Sequence, residues 1–226
     1  MIGIGSFAGA GYNGTSYTGR QQEKAIAIGY SAGQNYQSGN SIAIGYQAGV
    51  GNPQYQGTQG NSIYLGYQAG YSNQGQNSIS LGTQSGQSNQ GTQAIAIGLQ
   101  AGNTLQLQNA IAIGTQTGQT QQGTNAIAIG YQAGQGTQSS GAVAIGYQAG
   151  FDPQGTNALA IGVLAGQNNQ GANAISIGWE SALVGQGDYA IAIGWQAGGT
   201  GTYQGPGSIA IGSNNDGIGN NSITIG

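Results

Sequence analysis

The chain has 226 residues, 48 of them glycine and only 3% charged, with two Lys or Arg, five Asp or Glu, and no His or Cys. Without clustered Lys and Arg it has no electrostatic footprint for nucleic acid, and without Cys it has neither a disulfide frame nor the commonest structural zinc ligand. The acids Glu23, Asp152, Glu180, Asp188 and Asp216 are scattered, so acid-base and nucleophilic catalysis lack their usual groups and no enzyme, cofactor or metal site is expected.

Order comes from repetition. Ile-x-Ile-Gly or a close variant recurs from Ile2-Gly3-Ile4-Gly5 to Ile223-Thr224-Ile225-Gly226, and from Gly66 to Gly194 the motif glycines are spaced by 16 residues. A fixed short period marks a solenoid, each repeat being one turn stacked on the next. The fold expected is all-β, a parallel β-roll of 13–14 coils in a single domain over residues 1–226. Sixteen residues per coil are too few for a wide prism, so the coil is a flattened roll with two walls.

The first strand ends at Gly5, and an insertion near 10–24 carries Tyr12, Tyr17 and Arg20. Two regular strands follow, then an insertion near 50–60 with Tyr55, then the regular series, and a third insertion near 199–207 with Tyr203. Insertions leave a solenoid as surface loops, where binding concentrates. Asn40, Asn61, Asn77, Asn109, Asn125, Asn157 and Asn173 precede the strands, and a second glycine commonly stands four residues after the motif glycine. Both mark corners that need positive φ or close backbone approach.

Counting from the motif glycine as position 0, positions −3 and −1 are almost always Ile, and alternation puts both on one face of a short strand. The expected core columns are Ile26, Ile28, Ile42, Ile44, Ile95, Ile97, Ile111, Ile113, Ile127, Ile129, Ile175, Ile177, Ile191 and Ile193. Positions −4 and −2 hold almost only Ala and Ser, with Tyr64 and Thr224 as exceptions. A wet face would admit Lys, Gln or Arg. Three readings fit: a neighbouring subunit packs closely against it, the opposite wall of the same thin coil does, or low-complexity drift favours Ala. The subunit is the reading taken, which makes Ala27, Ala43, Ala96, Ala112, Ala128, Ala144, Ala160, Ser176 and Ala192 the expected interface.

Position +1 holds Tyr30, Tyr46, Tyr67, Tyr131, Tyr147, Trp179 and Trp195, interrupted by Thr83, Leu99, Thr115 and Val163. It reads either as a packing column at the edge of the roll or as an aromatic ladder for sugars. Tyr12, Tyr17, Arg20, Tyr55, Tyr203, Trp179 and Trp195 are the candidate glycan or receptor contacts. Gly9-Ala10-Gly11-Tyr12-Asn13-Gly14 matches a dinucleotide fingerprint by letter, but no helix pattern follows it. Asn214-Asn215-Asp216-Gly217 offers one carboxylate to a cation and reads as a polar turn.

The strands Asn40-Ser41-Ile42-Ala43-Ile44-Gly45 and Asn125-Ala126-Ile127-Ala128-Ile129-Gly130, each followed by a small-residue second half, resemble the head repeats of trimeric autotransporter adhesins. Similar repeats occur in phage and large-virus fibre proteins. The resemblance implies a left-handed parallel β-roll, three chains packed side by side with small residues at the shared axis, and a role in attachment. The coils here are longer than the family's often are, and the chain carries no signal peptide, heptad stalk or membrane-anchor segment. A virion or phage fibre suits that pattern as well as an extracellular or cell-surface adhesin. Two other readings are weighed. In one, subunits join head to tail into a filament, as uncapped solenoid ends allow. The other is ice binding, which needs a Thr ladder that the column Gln76, Thr92, Gln108, Thr124, Ser140, Thr156, Ala172 does not supply.

Overall fold

The computed structural model describes residues 1–10, 22–35, 37–51, 60–199, 201–216 and 219–226. It is an all-β parallel β-solenoid of about 12 turns with roughly 16 residues per coil, and there is no helix among the described residues. The chain divides into two compact units, Met1–Ile113 and Gly114–Gly226. The insertions near 10–24 and 50–60, with Tyr12, Tyr17, Arg20 and Tyr55, lie almost wholly outside the described residues.

In the first unit the strands are β1 (Ile2–Ile4), β2 (Ile26–Ile28), β3 (Ile42–Ile44), β4 (Ile63–Leu65), β5 (Ser72–Gln74), β6 (Ile79–Leu81), β7 (Ser88–Gln90), β8 (Ile95–Ile97), β9 (Leu105–Gln106) and β10 (Ile111–Ile113). One wall runs β1-β2-β3-β4-β6-β8-β10 and the other β5-β7-β9. The second unit holds β11 (Gln121–Gln122), β12 (Ile127–Ile129), β13 (Thr137–Gln138), β14 (Val143–Ile145), β15 (Asp152–Gln154), β16 (Leu159–Ile161), β17 (Asn168–Gln170), β18 (Ile175–Ile177), β19 (Ile191–Ile193), β20 (Ile209–Ile211) and β21 (Ile223–Ile225). Its motif wall runs β12-β14-β16-β18-β19-β20-β21 and its second wall β11-β13-β15-β17. Bridges Gln170–Gln186 and Gln186–Gln204 carry the second wall onward. Pairing is parallel and in register, with Ile127 beside Val143, Ala128 beside Ala144 and Ile129 beside Ile145.

The corners lie where Asn and Gly predict them. Asn125 (φ 58°), Asn157 (φ 55°) and Asn173 (φ 56°) are left-handed. The motif glycines are irreplaceable for a second reason: a Cβ on Gly130 (φ +132°) would stand 2.4 Å from the carbonyl oxygen of Gly146 in the next coil. Less expected is that position +2 is also left-handed in Gln132 (φ 54°), Gln148 (φ 50°), Leu164 (φ 58°) and Glu180 (φ 55°). That conformation is unfavourable for residues with a Cβ. A bond between coils, such as Gln148 N–H to Tyr131 O at 2.9 Å, offsets the cost.

The two faces of the motif strand are the reverse of the expectation. Ala27, Ala43, Ala96 and Ala112 in the first unit, and Ala128, Ala144, Ala160, Ser176 and Ala192 in the second, have no exposed surface within the single chain. They fill the interior of the coil and offer nothing to a second subunit. The expected core residues Ile26, Ile28, Ile42, Ile44, Ile95, Ile97, Ile111, Ile113, Ile127, Ile129, Ile175, Ile177, Ile191 and Ile193 stand on the outer face, partly exposed. The cause is thickness. Two walls of a short coil leave an interior that admits methyl and hydroxymethyl groups and excludes branched four-carbon chains, so small side chains go in and large ones out.

One larger group does enter, at position +8. Gln37, Gln90, Gln106, Gln122, Gln138, Gln154 and Gln186, and Gln204 at +10 after the two-residue insertion, are almost completely buried. Gln154 Nε2 donates to Val143 O (2.8 Å), to Ala158 O (3.4 Å) and to Gln170 Oε1 (3.1 Å) in the next coil. Gln138 donates to Gln154 in the same way (3.0 Å), and Gln186 to Gln204 (3.1 Å). Each amide nitrogen donates to backbone carbonyls across the thin interior, and Gln90, Gln138, Gln154, Gln170 and Gln186 also donate to the glutamine of the next coil. These bonds pair buried carbonyls that would cost about 1–3 kcal/mol each if left unpaired.

Tyr64 is the exception in the first unit. Its ring lies 2.1 Å from where a Cβ on Gly70 would be, whereas the equivalent Gly102 and Gly150 face the amides of Gln106 and Gln154. The ring takes the place of the glutamine amide. Gln74 turns instead to Ser72 O (2.7 Å) and Gly86 O (2.9 Å). Tyr64 Oη lies 3.2 Å from Ser78 Oγ, and burial, partly countered by hydrogen bonds from Ser62 and Ser78, pushes its phenol up to about 12.

Candidate interaction face

The outer side of the motif wall is built from parallel columns. Positions −3 and −1 give two rows of Ile, Leu and Val, partly exposed along both units, with Ile113 at 36% and Ile211 at 37%. The strict register of the strands places each over the matching residue of the next coil. A solvated β-face normally carries polar side chains, and contiguous exposed apolar surface marks an interaction site.

Past the motif glycine lies the aromatic column. Tyr30 and Tyr46 stack with centroids 5.3 Å apart and planes 12° apart, and Tyr46 and Tyr67 at 5.2 Å and 7°. Phe7 meets Tyr30 edge-on at 5.8 Å. In the second unit Tyr131 stacks on Tyr147 (5.3 Å, 10°) and Trp179 on Trp195 (5.7 Å, 10°). Each ring is close to half exposed, from 43% for Trp195 to 48% for Tyr67. The rings pack, but on one another rather than into the edge of the roll, and they remain open to solvent. Stacking covers the ring faces that sugars would use, so a run presents edges along its length and a free face only at its ends.

Beside the rings runs the +2 column, an amide ladder. Gln68 donates to Gln47 (2.9 Å), Gln84 to Gln68 (3.3 Å), Gln132 to Gln116 (3.0 Å) and Gln148 to Gln132 (2.7 Å). Glu180 replaces the amide once and accepts from Gln196 Nε2 at 2.7 Å.

Of the candidate contact residues, the structure brings Trp179 and Trp195 together. Tyr203 stands elsewhere, on the second wall beside buried Gln204 and against Gly185, and is 53% exposed. Among the described residues no group of three or more acidic side chains is placed to hold a metal ion. No described helix is long and apolar enough to cross a membrane.

Outward branched side chains, a small-residue interior and a parallel coil of roughly 16 residues make this a β-solenoid repeat module. The family model for the YadA head domain repeat matches the chain in two copies, over residues 122–134. That segment runs from buried Gln122 through β12 to the corner glycine Gly134, close to one full coil of the second unit. The match and the solenoid agree with the head-repeat β-roll of trimeric autotransporter adhesins. No curated protein matches the chain.

Proposed function

We propose that the chain is a non-enzymatic structural and attachment module of a fibre, working at a cell surface or on a virion, in which three copies pack side by side through their isoleucine columns. The observation that carries this reading is the outward placement of the −3 and −1 side chains. Within each unit they form an uncharged apolar stripe that repeats from coil to coil. Burying such a stripe is worth roughly 25 cal/mol for each Å² removed from water. The alanine columns cannot supply that contact, because they are already enclosed within each coil. The YadA head repeat match supports the same assembly, since domains of that type typically form homotrimers.

The chain has no cysteine, which makes the test clean. Ile129→Cys places a thiol on the isoleucine face and Asn168→Cys places one on the second wall. Under mild oxidation the first variant forms covalent dimers on a non-reducing gel and the second stays a single chain. Equal behaviour of the two would contradict the proposed contact face.

A further inference from the structure

The chain holds two tryptophans and five acidic residues. Both tryptophans and one of the acids meet on a single ledge of the second unit. Trp179 and Trp195 occupy position +1 of consecutive coils, stacked at 5.7 Å and 45% and 43% exposed. Glu180, Gln196 and Asn214 occupy position +2 of the same coils and the next, all with left-handed backbone (φ 55°, 55° and 51°). Gln196 Nε2 donates to Glu180 Oε2 at 2.7 Å, which orients the carboxylate, and its other oxygen has no partner among the described residues. The stack ends at Trp195. In the next coil β20 pairs with β19 so that exposed Ser213 falls where a further ring would stand, and no third ring continues the stack beyond Trp195.

We propose that this ledge is a binding site for a neutral pyranose saccharide. The C–H face of a sugar ring packs on the exposed part of the indole pair at the end of the stack. Its hydroxyls then meet the amides of Gln196 and Asn214, which both donate and accept, and the free oxygen of Glu180, which accepts a charge-assisted bond. The carboxylate disfavours acidic sugars. A cationic ligand would also suit an indole face next to a carboxylate, but it would leave the amide donors of the row unused. The tyrosine runs lack the carboxylate, since Gln47 and Gln68 beside Tyr46 and Tyr67, and Gln132 and Gln148 beside Tyr131 and Tyr147, are uncharged. The proposal concerns the surface of one chain and does not depend on three chains assembling.

The test is a titration of the full chain, followed by tryptophan emission, with cellotriose, chitotriose, galactotriose and mannotriose, and with tetramethylammonium as the cationic probe. At least one trisaccharide gives a saturable change with a dissociation constant on the order of millimolar or tighter. Trp195→Thr, a residue the same column carries at Thr83 and Thr115, weakens it tenfold or more, read from the remaining Trp179. Glu180→Gln weakens it by about tenfold, with the circular dichroism of both variants unchanged. The proposal is overturned if no trisaccharide gives saturation up to tens of millimolar, if both variants respond like the parent chain, or if only tetramethylammonium saturates. Measuring particle mass on the same samples separates this outcome from the fate of the three-chain assembly.

Discussion

The two faces of one strand differ more sharply than the two ends of the molecule. In β12 the middle residue, Ala128, is wholly buried, while its larger neighbours Ile127 and Ile129 face outward and are partly exposed. In most proteins the larger apolar side chain is the buried one. Here each coil is held together by close approach, backbone pairing between coils and the buried glutamine ladder, and the apolar material that would build a core lies outside it. The stability of a coil and the association of chains are therefore carried by different residues of the same three-residue strand, and they can be broken separately.

The largest effect expected is from overfilling the interior. Ala144→Leu, on the inner face of β14, forces the walls apart and costs about 3 kcal/mol, the upper end of overpacking penalties, read as a lower urea midpoint. Ile145→Ala, one residue away on the outer face, costs about 1 kcal/mol or less in the separated chain, since that side chain is already partly exposed. Equal losses would erase the contrast between the faces.

Tyr64 tests the interior by pH. Its phenol is raised from 10.0 to about 12 by burial, so the neutral form is the one the fold prefers. The associated stability is fully present below pH 10 and is lost as pH rises through about 12. Its magnitude is about 2–3 kcal/mol. Tyr64→Phe removes that part of the alkaline slope in melts taken between pH 9 and 12. Gln154→Leu comes next, at about 2 kcal/mol, because Val143 O loses a donor and Gln138 Nε2 an acceptor. A loss no larger than that of an exposed glutamine such as Gln121 would show that the ladder is not a structural tie.

The strands, their 16-residue stacking and the corner residues were all legible in the sequence, because Ile-x-Ile-Gly and the preceding Asn need no tertiary knowledge to be read as strand and corner. Which face looks inward was not legible from alternation. A period of two separates faces without ordering them, and the habit of placing Ile inside decides wrongly when the coil is thin. The clue was the 16-residue length itself, together with the restriction of positions −4 and −2 to the smallest side chains. The Gln column was hidden by composition. In a chain rich in glutamine, a fixed Gln eight residues after each motif glycine from Gln74 to Gln186 is conspicuous only when the columns are aligned. Tyr64, by contrast, was visible as the one large residue in a small column. For the interaction face, the sequence located the aromatic column but not its mutual stacking, which depends on parallel register bringing each ring over the next.

The most direct measurement of the central claim is native particle mass by light scattering on a size-exclusion column, for the parent chain and for a variant carrying Ile129→Ser, Ile145→Ser and Ile161→Ser. The account predicts three chains of 22.4 kDa for the parent and a single chain with unchanged circular dichroism for the variant. A parent chain that runs as a monomer, or a variant that keeps the parent's mass, would contradict an assembly held by the isoleucine face.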